Sequence, residues 1–171
     1  MNAQQLHDYI IKPTLEYMGG NYNTPEARLL LLATAAIESD CGYYIKQVNG
    51  PALGIWQMEP ATHDDIWVNC DAVCGNNSRF EIRIDRLVGH FAYDDETLIQ
   101  QPMYACAMAR LKYSMDSKPL PKVTGNRKLD EISFFDYYKR VYNTPLGAST
   151  FEKWQVKCEK HNIFEVDLNG K

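Results

Sequence analysis

The chain has 171 residues, 45% of them hydrophobic and 23% charged, which suits one soluble domain, residues 1–171, with a core of its own. Its net charge of -4 carries no Lys/Arg stripe, so the electrostatic footprint of a nucleic-acid binder is missing. No apolar run approaches the ~20 residues that cross a bilayer, which excludes an integral membrane helix.

The first residues, "MNAQQLHDYIIKPTLEYMGG", lack the basic and apolar regions of a secretory signal, so the expected place of synthesis is the cytosol. Thr24 is a helix N-cap, Pro25 suits the first helical position and Glu26 favours the positive end of the dipole. From Leu29 to Ile37 only Thr34 is polar, so the helix has no polar face and belongs in the core. Glu38 ends this run, and Gly42 is placed to stop the helix. A carboxyl at the negative end of a buried helix is disfavoured as an anion by both dipole and desolvation. Its pKa is therefore expected to rise, and an acid protonated near neutral pH can donate a proton.

Next, "YYIKQVNGPALGIWQM" flanks Asn49-Gly50 with aromatic and β-branched residues and predicts a small hairpin from about Tyr44 to Gln57. Pro51 restricts its second strand to an edge. Pro60 opens a helix through Ile66 and Trp67, and "CGNNS" is a turn. Ser78 with Glu81 makes a capping box for a helix carrying Phe80, Ile84, Leu87, Val88 and Phe91. Pro102 opens another, whose stripe of Met103, Ala107, Leu111 and Met115 is packing. Ser117 to Lys128 is a basic, solvated loop. Asp130 caps a helix lined by Ile132, Phe135, Tyr138 and Val141, and Ser149 with Glu152 caps a last one carrying Trp154 and Cys158. The expected fold is predominantly α, an α+β arrangement of six or seven helices with one small β-hairpin beside a cleft.

Five cysteines, Cys41, Cys70, Cys74, Cys106 and Cys158, are an odd number and favour free thiols over disulfides. Cys70 and Cys74 with His63 and His90 do not have the spacing of the usual zinc knuckles. No metal and no cofactor are expected.

The ordered motifs "AAIESDCG", "GPALGIWQMEPAT" and "VYNTPLGAST" resemble those of lytic transglycosylases and goose-type lysozymes, over about Leu29 to Trp154. The resemblance implies a lysozyme-like fold and cleavage of the β-1,4 bond between N-acetylmuramic acid and N-acetylglucosamine in peptidoglycan. It makes Glu38 the catalytic acid and Ser39 the hydroxyl residue beside it. Gly54, Gln57 and Met58 become positions facing the saccharide, Tyr142 the tyrosine that approaches the acid, and Asn143 its neighbour. Three features depart from the pattern: Gln47 to Asn49 stand where a Ser is usual, Val141 replaces a usual Ala, and the segment between the second and last motifs is long.

General acid catalysis of glycoside cleavage needs a protonated carboxyl, which Glu38 supplies, and some means of stabilising the charge on the ring. Amides such as Gln57 suit sugar hydroxyls and N-acetyl groups, and Trp56 could stack on a pyranose face. The predicted hairpin holds no acid, so a second carboxylate would have to be Glu59, Asp64 or Asp65; the last two also suit the first turns of a helix as dipole partners. Without one, the substrate's own C6 hydroxyl captures the cation, as in a lytic transglycosylase; with one, water does, as in a muramidase. A reading of another class is a virion component that binds glycan strands without cutting them. A wall-cutting enzyme made without an export signal suggests a bacteriophage, with a lysis enzyme released through a holin or a virion tail protein reaching the periplasmic wall.

Overall fold

The computed structural model describes residues 1–74, Ile84, Leu87, 94–143 and 147–169. An N-terminal helical stretch runs through α1 (Ala3–Leu6), a π turn (His7–Ile11) and α2 (Lys12–Met18). Asn2 starts it, its side chain accepting from the backbone N–H groups of Gln4 and Gln5. Pro13 brings no N–H to the helical ladder, and the π turn lies directly before it, where the ladder must adjust.

The two helices at the centre are α3 (Pro25–Ser39) and, after α4 (Pro60–Asn69), α5 (Asp71–Cys74) and α6 (Thr97–Gln100), the helix α7 (Pro102–Ser114). Thr24 caps α3 by accepting from Ala27 N at 3.2 Å. Every residue from Leu29 to Ala36 is buried, as is every residue from Tyr104 to Leu111. Two such helices need their few polar groups paired within the core. Thr34 and Tyr113 join their hydroxyls at 2.6 Å, and buried Arg110 donates to the carbonyls of Asn21 and Tyr22. Then α8 (Arg127–Tyr138) continues into a second π turn (Lys139–Asn143), and α9 (Phe151–Lys160) closes the body.

The expected hairpin does not form as paired strands. Among the described residues there is no β-strand; residues 44–58 carry only isolated bridges, Lys46 with Leu53 and Leu53 with Met58. The local turn forms, with Asn49 at φ 59 and Gln47 N donating to Ala52 O at 2.9 Å. Pairing does not spread, because Pro51 has no N–H to give and Gly54 (φ 74) and Gln57 (φ 45) bend the chain back within a few residues. The α+β class expected from the sequence therefore gives way to a mostly helical body with an irregular loop.

Smaller corrections concern caps and faces. Helix α3 ends at Ser39, with Asp40 (φ 57) and Cys41 (φ 56) left-handed ahead of Gly42. Asn126, not Asp130, caps α8, and Asp130 instead accepts from Thr124 and Gly125 to shape the preceding loop. The buried face of α8 is Asp130, Glu131, Phe134, Tyr137 and Tyr138, while Ile132 is exposed. Thr150, not Ser149, caps α9. All five cysteines are free, and Cys74 is the exposed one. Ile84 and Leu87 are helical and Ile84 is buried, but Ser78, Phe80, Glu81, Val88, His90 and Phe91 lie outside the described residues.

Candidate active site

The end of α3 is held on three sides, which fixes where Glu38 points. The Ser39 hydroxyl is fully buried, donating to Ile55 O at 2.5 Å and accepting from Gly42 N at 2.8 Å, so it ties the helix end to the loop. The Asp40 carboxylate meets Lys157 at 3.0 Å, His161 at 2.7 Å and Lys160, all from α9 or just beyond it. Burial alone would raise Asp40, but hydrogen bonds from Lys160, His161 and Lys157 outweigh it and hold the carboxyl well below the usual range. That clamp holds a left-handed aspartate, a conformation Asp tolerates better than most residues.

On the third side stands Tyr138, whose hydroxyl donates to Glu38 Oε1 at 2.6 Å and lies 3.0 Å from Ser149 Oγ. Behind it the rings of Tyr138 and Tyr142 stack at 6.4 Å, and Tyr142 meets Tyr113 at 5.3 Å. These aromatic groups remove water from around the acid. Burial pushes the Glu38 carboxyl up to about 7, and the hydrogen bond from Tyr138 draws it back only in part. A carboxyl in this condition is divided between acid and base near neutral pH, which lets one group give a proton and later take one.

Glu38 opens onto a cleft of about 380 Å³. Gln57, Met58, Glu59, Tyr142 and Asn143 line it with Glu38, and so do Gln47, Thr62, Lys112 and Ser149. Gln57 has a left-handed backbone, and its amide donates to Gly54 O at 2.8 Å. Such strain in a non-glycine residue persists where the surroundings impose it, and it gathers at functional sites. Asn143 accepts from Lys139 Nζ at 2.8 Å, and the same ammonium donates to Gly147 O at 2.6 Å. A side chain at Gly147 would strike the backbone oxygen of Asn143 at 2.3 Å, which favours glycine there.

Other residues singled out from the sequence stand elsewhere. Trp56 is 1% exposed and donates its indole N–H to Leu31 O at 3.0 Å, so its ring packs in the core and offers no sugar platform. Gly54 is buried beneath the loop, with Leu98 O only 2.4 Å from the position of an added Cβ. Tyr142 lines the cleft, but its hydroxyl donates to Trp56 O at 2.9 Å rather than to the acid. Of the three acids considered as a second carboxylate, only Glu59 lines the cleft. Asp64 is exposed, and Asp65 sits 3.7 Å from Lys112 and accepts from Asn69 at 2.8 Å.

Two residues of the hydrogen-bond chain at Glu38 escaped the sequence reading, as did Thr62 and Lys112 on the cleft wall. Tyr138 falls in the apolar pattern of α8 and reads as packing, while Ser149 reads as a cap. The available signal was that "YYKRVYN" places hydroxyl-bearing rings four residues apart at the end of a helix, where a change of helical pitch brings both to one side. Comparison of the chain with protein-family models, curated proteins and solved structures finds no match.

Proposed function

We propose that this protein cleaves the glycan strands of peptidoglycan as a lytic transglycosylase, with Glu38 as its single acid and base. The observation that carries the reading is a carboxyl raised to about 7 at the end of a buried helix, hydrogen-bonded by Tyr138 and open to a polar cleft. The motif order around Glu38, Gln57 and Asn143 supports the family of lytic transglycosylases and goose-type lysozymes, and with it the substrate.

In this reaction protonated Glu38 gives its proton to the glycosidic oxygen as the bond from C1 of the muramyl residue breaks. The departing sugar leaves as an alcohol. The C6 hydroxyl of the muramyl residue then attacks C1, and the ionised Glu38 takes up its proton, which closes a 1,6-anhydro ring and restores the acid. Tyr138 orients the carboxyl and stabilises its ionised form between the two steps. Gln57 and Asn143 supply amide groups to N-acetyl and hydroxyl groups of the strand. Such an enzyme fits a phage product that opens the periplasmic wall, at lysis or at entry.

Glu59 favours one further reading. It is an exposed carboxylate on the same cleft, so it could hold a water molecule and make the enzyme a hydrolytic muramidase. The first test is common to both. Purified protein should clear isolated sacculi, and Glu38→Gln should fold normally yet lose roughly a hundredfold or more in rate. A fully active Glu38→Gln protein would remove Glu38 as the acid, and a wild-type protein that binds sacculi without clearing them would be a glycan-binding component.

A further inference from the structure

His63 lies on α4, outside the group that lines the Glu38 cleft, and its ring is 1% exposed. One ring nitrogen is accounted for: Nε2 is 2.6 Å from Tyr104 Oη, which also accepts from Trp67 Nε1 at 3.2 Å. The other is not. Nδ1 is buried and has no hydrogen-bond partner, yet it faces Asp64 Oδ1 at 3.6 Å and Asp95 Oδ1 at 3.7 Å. Both separations exceed a hydrogen bond. They do match donors sharing one ion, since two ligands each about 2.1 Å from a tetrahedral cation stand about 3.4 Å apart. All three ligand atoms fall within 4.8 Å of one another, and the two aspartates are solvent-accessible, so small rotations at the surface close the set.

We propose that His63, Asp64 and Asp95 form a binding site for one divalent cation of the zinc class. One imidazole and two carboxylates suit a borderline ion better than calcium or magnesium, which prefer all-oxygen shells. The contact of Nε2 with Tyr104 is the kind of partner that orients a ligating histidine. Asp95 immediately precedes the segment leading into α6, whose Leu98 carbonyl packs against Gly54. An ion here therefore ties α4 to α6 and, through Gly54, supports the loop that carries Gln57. The site is independent of the glycan-cleaving reading, since none of its ligands lines that cleft.

Zinc chloride titrated into the untagged protein, followed by calorimetry and thermal unfolding, tests this directly. One ion should bind per chain and raise the unfolding midpoint. Asp95→Asn and Asp64→Asn, at accessible positions that leave the circular dichroism unchanged, should each weaken binding by about tenfold or more. Cys74→Ser, which removes the exposed thiol, should leave binding intact. The proposal is overturned if no saturable uptake occurs, or if uptake is indifferent to both aspartate variants, whatever Cys74→Ser does.

Discussion

The Tyr138 hydroxyl stands 2.6 Å from Glu38 Oε1, joining two residues one hundred positions apart in the chain. Because this hydrogen bond favours the ionised carboxylate, Tyr138→Phe should raise the Glu38 pKa further. The alkaline limb of the pH–rate profile should move to higher pH, and the rate at its optimum should fall by roughly tenfold through lost orientation. A profile with an unmoved limb would mean that the phenol does not govern the acid.

Glu38 should also leave a mark on stability. Its folded value of about 7 lies above its ordinary 4.5, so the unfolded chain ionises first as pH rises. The favourable contribution of the protonated form is complete below about 4.5 and is lost as pH climbs through 7. Urea unfolding at pH 5 and pH 8 should show the wild type losing stability relative to Glu38→Gln, by on the order of 3 kcal/mol. Equal losses in the two proteins would refute the raised pKa.

Asp40 has the opposite sign. Its carboxyl is depressed below its ordinary 3.8 by Lys160, His161 and Lys157, so the clamp contributes fully above that value and fades as the medium becomes more acid. Asp40→Asn should lower stability at pH 7 by on the order of 2 kcal/mol. The gap to wild type should narrow below about pH 4, which thermal unfolding at several pH values can follow.

The reaction products decide the part of Glu59. Mass spectrometry of digested sacculi should find anhydro-muropeptides, lighter by one water than hydrolysed ones, and Glu59→Gln should leave that pattern unchanged. Reducing ends that dominate in the wild type and vanish in Glu59→Gln would identify a muramidase.

That Glu38 ends a buried helix was legible because the run before it is set by local composition. Thr24 and Pro25 start a helix, Leu29 to Ile37 leave it no polar face, and the next residue must carry its charge at a buried dipole end. A reversal at Asn49-Gly50 was legible for the same reason, but only Asn49 is left-handed and Gly50 is not, so the turn is not the type I′ turn that this dipeptide favours. Whether that turn grew into a hairpin was not legible, because a ladder depends on donors beyond the turn, and Pro51, Gly54 and Gln57 end it. The choice of tyrosine was likewise tertiary. The motif pointed to Tyr142, but α8 buries Tyr137 and Tyr138, and the π turn that follows directs Tyr142 to the carbonyl of Trp56. Trp56 is buried in the core, where the Leu31 carbonyl of α3 satisfies its indole N–H. Periodicity shows that a side chain will be buried, but which partner its hydroxyl or indole N–H finds depends on how distant elements pack.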